Sequence, residues 1–340
     1  MPLGNLVRLI PLKLNEIPSH PSVSAYLNAS THKKHDSDSD FSKMDLSSSD
    51  GTSPNLDPNG QPLLIPFIRE ILDEATNFVD NELPSTFTKK GTKSNPPATA
   101  KIELLQRMIG SEEISRIPFE RANIPRKAWR VVQGYEEAWF SRKSTHANKP
   151  ETGTATWEEF DSGLRVQHSE HEREYTPDVL DSFKVLDWNA ETDALGDEVG
   201  EYRDVKMSIY EMSHKLPFPL LPRVFPVLII TSRTGAGGFI VVQIPINLKA
   251  LPESFYSSGR NQTQGDTSVK RKRPVLGVYT SIERGILRDS KEIEWIMATA
   301  SDAKGVLPMW AQKLGVPGAV VNDVGFFMKW TADNRAKKAG

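Results

Sequence analysis

From about residue 126 to Ser301 the apolar residues of this chain recur with a period of two, and beyond it they return to a helical period that lasts to about Trp330. The alternating segments are Glu137–His146, Arg165–Tyr175, Phe183–Trp188, Asp204–Met212, Val227–Thr231, Phe239–Ile246, Val275–Arg284 and Glu292–Ser301. Successive strands joined by short turns pair as neighbours. The sequence therefore predicts one antiparallel sheet in an α+β fold, curved and wrapped around a C-terminal helix that covers its apolar face. A sheet gripping a helix in this way encloses a space, and such spaces are lined by apolar side chains with a few fixed polar groups. The segment Gly235–Gly238 reads as a hairpin turn between two apolar strands, where glycine supplies positive φ. It is not a phosphate loop, because no Gly-Lys-Ser/Thr follows.

Before the strands, Phe67, Ile68, Ile71, Leu72, Ala75, Phe78 and Val79 recur at helical spacing opposite Arg69, Glu70, Asp73 and Glu74. A shorter helix is expected over Ile102–Ile109 and another over Thr156–Leu164. Residues 1–30 read as an N-terminal segment packing on the domain. Residues 31–61, rich in Ser, Asp, Gly and Pro, read as a disordered linker. The domain itself spans 62–333, with flexible loops at 84–100 and 252–274 and a basic tail at 334–340. The run Lys270–Arg273 in the second loop reads first as solvated charge. At the C-terminal end, Leu307, Trp310, Ala311 and Leu314 fit a short helix stopped by Gly315. Pro317 then opens a second helix, with Val320, Val321, Val324, Phe327 and Met328 on one face.

The chain contains 42 basic and 44 acidic residues, a net charge of −2, so no whole-chain field draws it to nucleic acid. Its count of zero cysteines excludes disulfides, thiolate catalysis and cysteine zinc sites. No apolar run reaches the ~18 residues of a membrane span. The expected setting is the cytosol, peripheral at membranes, with the protein acting as a monomer.

Alternation also suggests which side chains face inward. The more apolar sets are Val205, Met207, Ile209 and Glu211; Ile240, Val242, Ile244 and Ile246; Leu276, Val278, Thr280, Ile282 and Arg284; and Ile293, Trp295, Met297 and Thr299. With Trp310, Val324 and Phe327 from the C-terminal helices, Met207, Ile209, Val242, Ile244, Val278, Ile282, Trp295 and Met297 are the candidate apolar lining. Glu211 and Arg284 are the candidate polar anchors. A buried charge needs a partner or water, so the competing reading of that pair is a structural ion pair or solvent-reaching strand ends.

Two segments carry a resemblance. Pro219–Arg233 (PLLPRVFPVLIITSR) resembles the START-domain segment in which a Pro-Arg-Asp-Phe-like turn leads into a strand, with Val224 here in place of the acidic residue. Ile293–Trp330 resembles the closing part of START domains, through Ser301, Asp302, Gly305, Leu307, Pro308 and Trp310. With Leu6–Leu12, Ile124–Arg130, Thr156–Pro177 and Ile209–Pro226, the chain is similar to a fungal family of START-like proteins, a domain of unknown function. The resemblance implies a helix-grip fold with a hydrophobic cavity and a lipid or sterol-like ligand. It supplies no catalytic residue and no cofactor.

His168 and His171, in HSEHERE, would face opposite ways on a strand and do not form the His-Glu-x-x-His zinc pattern. Neither a Gly-x-Ser-x-Gly elbow nor a dinucleotide fingerprint is present. The aromatic residues Trp295, Trp310, Phe326, Phe327 and Trp330 read first as core and second as stacking partners for a ringed ligand. The leading expectation is a non-enzymatic protein that binds a lipid for sensing or for transfer between membranes, with transient membrane contact. The alternatives are an enzyme using the same cavity, cyclase- or hydrolase-like, and a scaffold protein whose cavity is filled.

Overall fold

The structure, a computed structural model, describes residues 6–24, 55–115, 136–196, 199–216, 218, 220–235, 237–251, 255, 275–302 and 309–339, with the backbone alone for 309–315 and 339. Residues 25–30 of the expected N-terminal segment, 31–54 of the expected linker and 252–254 and 256–274 of the expected loop lie outside the described residues, as do Ile124–Arg130, the Lys270–Arg273 run, Gly305, Leu307 and Pro308.

Among the described residues ten strands form one open sheet: β1 (Thr88–Lys93), β2 (Ile102–Ile109), β3 (Glu137–Ala147), β4 (Val179–Asp187), β5 (Arg203–His214), β6 (Arg223–Thr234), β7 (Gly238–Pro245), β8 (Val275–Leu276), β9 (Val278–Arg288) and β10 (Glu292–Asp302). Their order is β1-β2-β3-β10-β9-β7-β6-β5-β4, antiparallel throughout, and β8 adds a short parallel pairing to the start of β6. The β6–β7 hairpin turns where it was expected, with Gly237 at φ +72° in the left-handed region that glycine enters without a Cβ penalty.

Both faces of this sheet are buried. One is covered by α1 (Leu64–Asn77), whose Phe67, Ile68, Ile71, Leu72 and Ala75 point into it, and by an N-terminal strap carrying Leu6, Val7, Leu9, Leu12 and Ile17. The other is covered by α2 (Trp157–Phe160), α3 (His168–Tyr175) and the long C-terminal helix α5 (Met309–Ala339). The small helix α4 (Asn189–Ala194) connects β4 to β5. Helix α5 lies against β3 and β10 and touches α3. Because α1 and α5 sit on opposite faces, odd and even positions of the central strands are both apolar. Strict alternation is therefore lost in β6 and β7, which are buried along almost their whole lengths.

Several expectations are corrected. Ile102–Ile109 is a strand rather than a helix: Ile102 and Leu104 join the α5-side cluster while Leu105 and Ile109 join the α1-side cluster. Part of the expected loop at 84–100 is ordered structure, with a helical turn at Leu83–Thr86 and β1 pairing to β2. The expected strand Arg165–Tyr175 is instead the helix α3, preceded by a π-helical turn at Asp161–Arg165. The two expected C-terminal helices are one: Pro317 lies inside α5, and the helix runs on through 334–339 where a basic tail was expected.

The candidate polar cluster beneath the C-terminal helix

On the α5 side the sheet presents a polar centre within an apolar surround. Arg142 on β3, Met297 on β10 and Glu283 on β9 lie in one cross-strand row. Arg142, 1 % exposed, donates from Nη2 to Glu283 Oε1 at 3.0 Å. Its guanidinium lies 3.8 Å over the Trp295 ring, a cation–π arrangement. Trp295 Nε1 donates to the same Glu283 oxygen at 2.7 Å. Arg142 Nε and Nη1 have no hydrogen-bond partner among the described residues. His146, two strand positions beyond Ser144, shares a 2.8 Å hydrogen bond with that hydroxyl. Burial, reinforced by the Arg142 charge, pushes the His146 imidazole down to about 3, so it is neutral at physiological pH.

Helix α3 closes the cluster. His168 Nδ1 meets the Leu164 carbonyl at 2.6 Å, and a carbonyl only accepts, so Nδ1 carries the proton. Nε2 is then free to accept from Gln243 Nε2 at 3.0 Å, and the Tyr279 hydroxyl donates to Gln243 Oε1. This chain of three bonds fixes β9, β7 and α3 relative to one another. One turn on, burial and then the negative charges of Asp323 and Glu283 push the Glu172 carboxyl up to about 8. Asp323 on α5 is raised by burial to about 6, with Arg142 opposing and Glu283 and Asp178 adding to the rise. The Tyr175 and Tyr279 phenols are pushed well above their usual range by burial and neighbouring carboxylates. Burial also lowers His214 to about 4. At neutral pH the centre thus holds an Arg142–Glu283 ion pair, a protonated Glu172 and uncharged histidines at 146 and 214.

Aromatic rings pack around these groups. Phe160 stands 5.4 Å from Trp295, Phe327 stands 5.3 Å from Trp295 and 5.7 Å from Tyr175, and Phe225 stands 5.3 Å from Tyr279. Glu172 keeps 20 % of its side-chain surface accessible, and Tyr175, Tyr279, Met297 and Asp323 are likewise only partly covered. Desolvation nevertheless dominates the titration of Glu172, Tyr175, Tyr279 and Asp323.

The residues expected to line one space divide between the two faces. Trp295, Met297, Val324 and Phe327 lie on the α5 side. Met207, Ile209, Val242, Ile244, Val278 and Ile282 lie on the α1 side. Glu211 is buried there too, across from Pro226, and Arg284 donates to Asp80 after α1, with Glu294 3.9 Å away. Trp310 falls within α5, and its side chain is outside the described residues. The polar centre itself (Arg142, His168, Glu172, Gln243, Tyr279, Glu283 and Asp323) was not foreseen. One signal was present: His168 and Glu172 stand four apart, a helical spacing.

Among the described residues no group of three His, Asp or Glu side chains is placed to hold a metal ion, and no helix is long and apolar enough to cross a membrane. An open antiparallel sheet with a long C-terminal helix across one face defines a protein of the helix-grip class. The chain belongs to the family described as "Protein of unknown function (DUF3074)", which it matches over residues 139–331. Solved structures to which it is similar include human STARD10 (12 % identity, 77 % of this chain and 82 % of that one, TM-score 0.47). Human StAR-related lipid transfer protein 5 is another (9 %, 80 % and 98 %, TM-score 0.47). A third is a STAR-related lipid transfer protein from Xanthomonas axonopodis (10 %, 73 % and 99 %, TM-score 0.43). Among curated proteins none matches the chain.

Proposed function

We propose that this protein binds a lipid or other hydrophobic ligand between the sheet and α5, carrying or sensing it rather than transforming it. One observation carries the reading. Glu172, Tyr175, Tyr279 and Asp323 are surrounded closely enough for desolvation to dominate, yet each retains accessible surface. Side chains that border a cleft or an enclosed space have that combination, whereas side chains of a filled core do not. The surround is apolar and aromatic, which suits a hydrophobic body. Enclosing a few hundred Å2 of apolar ligand surface at ~25 cal/mol per Å2 offsets several kcal/mol of extraction from a bilayer.

The polar groups also restrict the ligand's polar end. Arg142 spends its charge on Glu283 through Nη2, while its Nε and Nη1 are buried donors with no partner among the described residues, so a polar end that reaches them must bring an acceptor. The partly accessible polar side chains are carboxyl and phenol groups. A protonated Glu172 and a phenol both donate and accept, so they suit an uncharged group that does the same, such as a hydroxyl.

The test is native mass spectrometry after incubation with a whole-cell lipid extract. A single stoichiometric lipid class is expected to co-purify. Replacing Glu172 and Asp323 with leucine should lower its occupancy about tenfold, roughly one hydrogen bond to a charged or buried group. Glu211→Ala and Arg284→Ala, on the other face, should leave it unchanged. A protein that stays empty against every lipid overturns the proposal, and a ligand whose mass changes with time replaces it with catalysis in the same space.

A further inference from the structure

The described residues place three exposed apolar side chains together at one end of the sheet. Phe218 is 97 % exposed, Leu221 53 % and Leu276 45 %. Their grouping follows from the topology. Phe218 and Leu221 belong to the β5–β6 connection, and β8 pairs in parallel with the start of β6, setting Leu276 beside Val224. Arg223, itself buried, donates from Nη1 to the Leu221 carbonyl at 2.6 Å and anchors the connection. The Gly277 amide donates to the Val224 carbonyl at 2.9 Å and anchors β8. Water therefore faces an apolar apex on a fixed base. The other exposed large hydrophobics, Leu56, Leu63, Met108 and Val166, belong to other parts of the chain.

We propose that this apex is a bilayer-docking surface, and that it brings the ligand site to the membrane. The inference rests on the ligand-binding reading above. Two features favour a bilayer over a protein partner. First, the apex is convex: a side chain 97 % exposed projects beyond its neighbours and forms no groove. A folded partner would need a matching pocket and about 800 Å2 on each side to hold it, whereas acyl chains accommodate any apolar projection. Second, the apex adjoins the site. Directly inward lie the rings of His214, Phe225 and Tyr279, with centroids 5.2–6.2 Å apart. Tyr279 then leads through Gln243 to His168 on α3. A hydrophobic ligand leaving the cluster past these rings emerges at the apex and is never exposed to bulk water once the apex is immersed. Lys215, exposed beside the apex, adds a charge that suits a lipid headgroup layer.

The absence of cysteine allows a direct experiment. Phe218→Cys and, at the opposite end of β6, Val166→Cys are each labelled with an environment-sensitive fluorophore and mixed with phosphatidylcholine vesicles, with and without phosphatidylserine. The label at 218 should shift to the blue and be quenched by brominated acyl chains, and the label at 166 should do neither. In co-sedimentation, Phe218→Ser should lower vesicle partitioning about tenfold or more, the loss expected for one buried aromatic side chain. Its ligand occupancy should stay at the wild-type level when the ligand is supplied without a membrane. If the wild-type chain does not bind vesicles, or if Phe218→Ser binds like wild type, the docking proposal is overturned while ligand binding is untouched. Failure of the wild-type chain to take up any lipid removes both.

Discussion

Glu172 is held far from its free state by its surroundings. Its folded value, about 8, lies above the ordinary 4.5 because burial comes first and the Asp323 and Glu283 charges add to it. A raised carboxyl favours folding only while protonated: its contribution is complete below about 4.5 and is lost as pH rises toward about 8. Glu172→Gln keeps the shape and removes the ionisation. The variant should therefore gain stability over wild type as pH rises from 5 to 8, on the order of a few kcal/mol at the upper end. Thermal melts across that range measure it; a difference independent of pH would show that Glu172 ionises freely in the folded protein. At this scale the sequence was least informative. Met297 was assigned to the face on which it lies, but its row-mates Arg142 and Glu283 become neighbours only through the β3–β10–β9 pairing. Charged residues in separate strands carry no local sign that they meet. Arg284 illustrates the converse: it was singled out for its parity, and it turns out to tie β9 to Asp80 after α1.

At the scale of elements, the long strands and α1 were legible because their periodicity is unopposed. Short segments with mixed patterns were not. Ile102–Ile109 has apolar residues that fit either period, and the outer edge of β3 decides for a strand by supplying hydrogen-bond partners. Arg165–Tyr175 alternates charge in a way that mimics a strand, yet it folds as α3 with its His168 side buried against Gln243. The N-terminal strap shows how an irregular element is held. The amides of Leu6 and Val7 donate to the Glu74 carboxylate on α1 at 2.8–3.2 Å, Arg8 pairs with Glu137 at 3.8 Å, and the Leu12 amide donates to the Pro245 carbonyl at 2.8 Å. Glu74→Ala should release the first of these anchors and cost ~1–3 kcal/mol, the penalty for unpaired buried amides. Hydrogen exchange should then quicken at residues 6–8 while α1 and the central strands stay protected. Uniform quickening would mean that the strap is integral to the global fold.

The molecule as a whole is a single sheet with two different coverings. The α1 face is an apolar core that includes the wholly apolar set read from β7 and, from the sets read in β5 and β9, Val205, Met207, Ile209 and Ile282, with Val278 packed against it. The α5 face holds the polar centre and the partly accessible side chains. The sequence could not distinguish these roles, because both faces are apolar in β6 and β7, and a strand buried on both sides does not reveal which covering carries the polar groups. With the proposed ligand under α5, stability resides chiefly on one face and ligand exchange on the other. Gly325 tests this. A Cβ at that position of α5 would collide with Asn95 Oδ1 and stand 3.0 Å from the Asn95 carbonyl, where the helix passes the loop before β2. The neighbouring Asn322 also accepts a 3.2 Å hydrogen bond from Asn95. Gly325→Val should therefore lift α5 from this loop at a cost of ~1–3 kcal/mol, typical of overpacking. The α1 face, which does not touch the loop, should keep its hydrogen-exchange protection. If the space under α5 holds the ligand, a preloaded lipid should dissociate faster from Gly325→Val than from wild type, with the sheet's circular-dichroism signal unchanged. Equal dissociation rates in a variant whose α5 amides exchange faster would separate ligand retention from the helix.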